Sequence, residues 1–283
     1  MDIVDVPKPG IHDAQLALND EEVRQRLMND PTFLPTRRQA LRILRHPSSL
    51  DNIDDINIQR GRGEVHEIFT QEYIDAFANY LITQAEQSKA TLNDPYTVLE
   101  VAAGMGKLTY FLTQRLNNIR PGLIRIISSD KKVDLKNNPF NVEELDCKTA
   151  LEKYPQAKLA ICSWMPPGID FSHFFRKQPN IDGYILIGTT DSSVCGEAWE
   201  TWGDRDEKIA QELTGEESVQ ESRDIKNKWN TVPAPYEQDG FVREEVENLT
   251  QLQIAYPIDP RQDSASKSWG WHHPATVLFR RAS

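Results

Sequence analysis

The chain has 283 residues, 39% of them apolar, 27% charged and 8% aromatic, the composition of a water-soluble globular protein long enough to bury a sizeable core. A formal net charge of -11 disfavours nucleic-acid partners, which require a basic face, and no apolar run approaches the ~18 residues of a membrane span. Three scattered cysteines, Cys147, Cys162 and Cys195, argue against a disulfide framework and have no zinc-ligand spacing, so no metal is expected.

The N-terminus, "MDIVDVPKPGIHDAQLALND", has neither the basic nor the apolar region of a secretion signal, which predicts a cytoplasmic or nuclear protein. Residues 1–64 hold scattered prolines (Pro7, Pro9, Pro31, Pro35, Pro47) and two short helical periodicities, at 20–29 and 36–46. They read as a helical extension wrapped on a core. From 65 to 88, Val65, Ile68, Phe69, Tyr73, Phe77, Tyr80 and Leu81 share one helical face,.

Four short, dense apolar runs follow: "YTVLEVAA", "LIRIISSD", "KLAICSW" and "YILIGTT", with a weaker strand at Asn141–Leu145. Such runs, separated by crossover-sized segments, predict buried parallel strands in an α/β sheet. The charged stretch "GDRDEKIAQELTGEESVQESRDIKNKWN" predicts exposed helix. "LTQLQIAYPI" and "ATVLFRR" read as two closing strands joined by a polar, Trp-rich loop. No linker divides this part, so residues 65–283 form one α/β domain.

The loop after the first strand carries the chemistry. Glu100 ends the apolar run, Gly104 and Gly106 allow close approach of a ligand, and Leu108, Phe111 and Leu112 restart at helical spacing,. Alone, this pattern fits either a ligand loop at the carboxyl edge of the sheet or a tight strand-to-helix turn. Two further acids favour the ligand. Asp130 ends the second strand, 24 residues beyond Gly106, where a carboxylate can accept two ribose hydroxyls. Asp146 follows the third strand, within reach of an adenine edge.

With these residues in view, "VLEVAAGMGKL" resembles motif I of the class I S-adenosylmethionine-dependent methyltransferases. Ala102 stands where that motif's first glycine is usual, and Gly104 and Gly106 match the other two. The resemblance covers roughly residues 70–281. It implies a Rossmann-like, mostly parallel sheet closed by a terminal antiparallel strand pair, with S-adenosylmethionine as cofactor. It further implies that Glu100 contacts the methionine amino group, that Asp130 holds the ribose, and that Asp146 and the Cys147 amide read adenine. Ser163 and Trp164, after the fourth strand, would complete the cofactor wall. A dinucleotide enzyme fits less well, because the third glycine of its fingerprint is missing and Glu100 would face anionic phosphates.

For the acceptor, "AICSWMPPGIDF" offers a rigid loop with Met165 and Pro166, though it departs from the amino-methyltransferase motif at Met165 and Gly168. Trp199 and Trp202 either line an aromatic pocket or pack a helix. His66, His173 and His272 are the candidate bases; adjacent His272 and His273 point apart. Methyl transfer needs mainly in-line positioning, since the sulfonium is already electrophilic. The function expected is methyl transfer to an unidentified acceptor, with a small molecule or protein favoured. The alternatives are a non-catalytic binding protein of this fold and, less well supported, an RNA methyltransferase, which the "GKLT" sequence suggests but the acidic composition does not.

Overall fold

The computed structural model describes residues 18–44, 67–133, 139–190, 195–213, 218–254 and 274–282. Asn19 opens the first helix, α1 (Asp20–Asn29), through a reciprocal capping box with Glu22,. Val23 of α1, Phe33 and Ile43 of α2 (Arg37–Leu44) bury a small apolar cluster between the two helices. The pair docks on the start of α3 (Gln71–Gln87), where the Gln71 amide donates to Pro35 O and the Arg37 amide donates to the Glu72 carboxylate. Helical spacing predicts a start of α3 at 65. Thr70 instead caps it by accepting from the Tyr73 amide, which leaves Ile68 and Phe69 ahead of the helix. The domain boundary expected between residues 64 and 65 lies outside the described residues.

Beyond α3 the chain alternates strand and helix: β1 (Tyr96–Val101), α4 (Lys107–Ile119), β2 (Ile124–Asp130), β3 (Glu143–Glu144), α5 (Cys147–Lys153), β4 (Leu159–Ser163), α6 (Ser172–Lys177) and β5 (Gly183–Thr189). β1 to β5 pair in parallel. β1 and β5 are buried along their whole length, because helices cover both faces and the strands need no polar alternation. The weak strand expected at 141–145 is reduced to the two residues of β3.

After β5 come a single π-helical turn (Ala198–Trp202), α7 (Arg205–Glu212), α8 (Val219–Thr231) and α9 (Pro235–Gln238). β6 (Phe241–Glu245), α10 (Glu247–Thr250) and β7 (Pro274–Arg281) close the fold. The sheet runs in the order β3-β2-β1-β4-β5-β7-β6, with β7 antiparallel to both β5 and β6. The terminal antiparallel pair is therefore present, but its first member is not "LTQLQIAYPI". Leu249 and Thr250 end α10, and β6 is the edge strand "FVREE", in which only Phe241 is buried. Charged residues blunt an exposed edge and hide its strand pattern. The charged stretch expected to be exposed also contributes to the core, through Ile209 and Trp229.

Side-chain alternation along the strands divides the core. Val98, Leu159, Ile161, Ile185, Ile187 and Leu278 face α3 and α4. Leu99, Val101, Ala160, Cys162, Leu186 and Phe279 face the layer that contains α5, α6 and the π-helical turn. Among the described residues, no helix is long and apolar enough to cross a membrane.

Candidate cofactor site

The order β2-β1-β4 reverses direction at β1, so the crevice outside the carboxyl ends of β1 and β4 is the natural ligand position in such a sheet. The loop 102–106 stands at that crevice. Ala102, Gly104 and Gly106 have φ of 51°, 56° and 76°, all in the left-handed region. Side chains are strained there, so Ala102 holds a conformation that glycine would adopt without cost.

The two glycines do different things. A Cβ on Gly106 would lie 2.5 Å from Val142 Cγ2, whereas one on Gly104 would meet nothing within 4 Å. Gly106 is required for packing. Gly104 has open space in front of it, on the side where a ligand can reach the backbone.

Asp130 ties this loop to β2. Its Oδ2 accepts from the Gly104 amide at 2.8 Å and its Oδ1 from the Lys132 amide at 2.9 Å. Ala103 N adds a bond to Ser129 O. Glu100 lies beneath the loop, 2% exposed, with its Oε2 accepting from both the amide and the hydroxyl of Thr109 in the first turn of α4. Burial pushes its carboxyl up to about 7; the Thr109 bonds oppose that rise and the Asp130 charge adds to it. An acid at a helix N-terminus is favourably placed, and here it braces α4 against β1.

Asp146 is the exposed N-cap of α5 and accepts from the Thr149 amide at 2.9 Å, a bond that holds its carboxyl below the ordinary range. The adjacent Cys147 is buried, and burial pushes its thiol up to about 12. Only its amide can serve recognition.

At the end of β4, Ser163 and Trp164 are half-buried. Trp164 adopts φ 56°; its amide donates to Ile187 O, and its indole Nε1 donates to Glu67 Oε2 at 3.1 Å. Sequence reasoning misses Glu67, which is one acid in a polar stretch.

The expected acceptor residues divide. Pro166 is exposed on the loop after β4. Met165 is 2% exposed and its Sδ accepts from the Phe171 amide. Trp202 donates its Nε1 to Cys195 O at 2.7 Å, and Trp199 packs edge-on against Trp229 at 5.1 Å between ring centres. Of the two readings open for the tryptophan pair, the structure shows packing: both indoles lie in the core on the α5–α6 side. His173 sits at the start of α6, its Nδ1 3.5 Å from Asp170 Oδ2, with its ring against Phe174. His66 and His272 lie outside the described residues.

The mostly parallel sheet with a terminal antiparallel strand pair is what the sequence resemblance implied; the structure adds that β7 lies between β5 and β6. The fold is a Rossmann-like, mostly parallel sheet closed by an antiparallel strand pair. No family model and no curated protein matches the sequence. Among solved structures, the chain is similar to the plantazolicin methyltransferase BpumL in complex with SAH, at 10% identity and TM-score 0.34 over 96% of this chain and 97% of that one. It is also similar to the DszA carbon methyltransferase, at 12% identity and TM-score 0.41 over 73% and 54%. A third is the citrinin polyketide synthase CMeT domain, at 11% and 0.42 over 96% and 67%. The strand order itself carries the fold.

Proposed function

We propose that the chain transfers a methyl group from S-adenosylmethionine to a small-molecule or protein acceptor. The observation that carries this reading is the Asp130–Gly104 clamp beside open space at the β1–β4 crevice. A carboxylate fixed by two backbone amides at a strand end suits a ribose diol, and a glycine with free space before it suits close passage of a ligand.

In this reading Asp130 holds the ribose hydroxyls, and the Gly104–Gly106 backbone lies along the amino-acid moiety. Glu100 supplies negative charge toward the methionine ammonium through the loop that it braces. Asp146 and the Cys147 amide face adenine, and Ser163 and Trp164 wall the sulfonium end. The bound cofactor supplies an electrophilic methyl group; the chain supplies orientation and exclusion of water.

Calorimetry with S-adenosylmethionine and S-adenosylhomocysteine tests the reading, with saturable binding expected. Asp130→Ala should weaken the affinity by about 1–3 kcal/mol, the effect of removing a charged hydrogen-bond acceptor, and Asp130→Asn should fall between the two. Absence of binding at millimolar ligand, or full affinity in Asp130→Ala, overturns it.

A further inference from the structure

On the face of the sheet that meets α3, the strands change character at their carboxyl edge. Ile161 gives way to Ser163 on β4 and Ile187 to Thr189 on β5, while on antiparallel β7 the corresponding step is from Leu278 to Thr276. A buried hydrogen-bond relay occupies this polar corner. The Tyr73 hydroxyl lies 3.2 Å from Thr276 Oγ1, and Thr276 Oγ1 donates to Gln253 Oε1 at 2.9 Å. Thr276 thereby uses its proton on Gln253, so Tyr73 donates to Thr276 and the Gln253 NH2 is left as the outward donor.

That NH2 faces Glu67, which is 5% exposed. Trp164 occupies Glu67 Oε2. Among the described residues, Glu67 Oε1 and Gln253 Nε2 make no hydrogen bond of good geometry, although the Gln253 amide lies close enough to Glu67 to favour its charged form. Buried polar atoms are rarely left without partners, and here a buried acceptor and a buried donor face each other beside the end of β4.

We propose that this corner binds the methyl acceptor as an acidic hydroxyl, a phenol or enol, with Glu67 Oε1 taking its proton and Gln253 Nε2 donating to its oxygen. The inference rests on the proposed methyltransferase reading and names its substrate class. A hydroxyl matches the two atoms because it donates one hydrogen bond and accepts another. An ammonium group has no lone pair for Gln253. As the lone pair of the oxygen forms the O–CH3 bond, the O–H proton passes to Glu67, and the electron pair of the broken S–CH3 bond stays on sulfur.

Burial pushes the Glu67 carboxyl up to about 7, while Trp164 and Gln253 pull against that rise. A base of that strength lies close to a phenol, whose proton dissociates near ~10, and far from an alkanol. The facing groups from β7, the Gln253 turn and the loop after β4 are the uncharged Thr276, Gln253 and Trp164. From α3 the facing titratable group is Tyr73, which burial keeps protonated. Aromatic surface is at hand in half-buried Trp164 and in Phe69, which stacks on Tyr73.

The test uses the full chain with phenol, catechol, cyclohexanol and aniline as probes. Calorimetry in the presence of S-adenosylhomocysteine should show phenol or catechol binding to the wild type, with aniline and cyclohexanol at least tenfold weaker. With S-adenosylmethionine, the phenols should be methylated at a rate that rises with pH through about 7. Glu67→Gln should lower kcat on the order of 100-fold or more and abolish that rise, while S-adenosylhomocysteine affinity stays within twofold. Gln253→Met should raise KM more than it lowers kcat.

If S-adenosylhomocysteine binds but neither phenol does, or aniline binds in their place, the acceptor proposal is overturned while the cofactor reading stands. Unchanged kcat in Glu67→Gln also overturns it. If S-adenosylhomocysteine itself does not bind, the cofactor reading has failed.

Discussion

The two glycines of the loop make opposite predictions although they sit two residues apart with similar backbone angles. Gly106→Ala adds the strain of a left-handed side chain, about 1–2 kcal/mol, and drives a methyl group into Val142 at 2.5 Å. Chemical denaturation should show a loss of about 2 kcal/mol or more. Gly104→Ala meets open space, so only the strain of roughly 1–2 kcal/mol applies, and its larger effect should fall on S-adenosylhomocysteine affinity. Equal destabilisation by the two would remove the distinction between a packing glycine and a ligand-facing one. At this scale the grouping of Glu100, Gly104, Gly106 and Asp130 is legible in the sequence, and the structure places them together at the ends of β1 and β2, each with a structural bond or contact of its own. Glu67 and Gln253 are not. Each is one polar residue among others, and only the fold brings a residue ahead of α3 and a residue after α10 to the end of β4.

Elements are legible where burial dictates composition. The four apolar runs form β1, β2, β4 and β5, since strands covered on both faces are predominantly apolar. β6 is hidden because an edge strand tolerates charge on its open side, and the run FVREE carries a single buried residue. The apolar spacing of "LTQLQIAYPI" misleads for the converse reason: Leu249 is buried from the short helix α10, against α3 and β7. The π-helical turn shows the same dependence on context. Spacing alone does not assign its Trp199 and Trp202 to a pocket or to packing, and the Trp199–Trp229 contact with the Trp202–Cys195 bond joins the turn to α8 and to the segment after β5. Trp202→Ala should therefore cost about 3–5 kcal/mol in urea unfolding, as for other buried tryptophans. A loss below about 1 kcal/mol would mean that the indole does not hold this layer together.

For the whole molecule, the two buried glutamates set how stability depends on pH. Glu67 and Glu100 are both pushed up to about 7, from an ordinary value of 4.5, chiefly by burial. Between those values the native chain keeps protons that the unfolded chain has released, so stability falls as pH rises from about 4.5 to about 7 and levels off beyond. At about 1.4 kcal/mol for each pH unit that separates the folded and unfolded values, each group accounts for at most about 3 kcal/mol across that window. Opposing groups act lower down. Asp30 and Glu143 are raised by partial burial but held below their ordinary values by stronger combined hydrogen bonding, led by Thr32 and Lys153, and Asp146 is held down by the Thr149 amide. Their stabilisation is present above the unfolded value and is lost as pH falls through about 4 and below. The formal net charge of -11 adds self-repulsion at neutral pH, in the same direction as the buried pair. Melting temperature without ligand should consequently peak on the acid side of neutrality and fall between about pH 5 and 7. The Glu67→Gln, Glu100→Gln double variant should flatten that fall and melt higher than the wild type at about pH 7.5. A melting temperature that instead climbs toward neutral pH, or a double variant with the wild-type slope, would show that neither carboxyl is protonated in the native chain. Because the two acids stand at the proposed methyl-donor and methyl-acceptor sites, the cost of ionising each in the unliganded protein should shrink when an ammonium or a hydroxyl lies against it. The pH slope measured with S-adenosylhomocysteine bound should then be shallower than the slope without it.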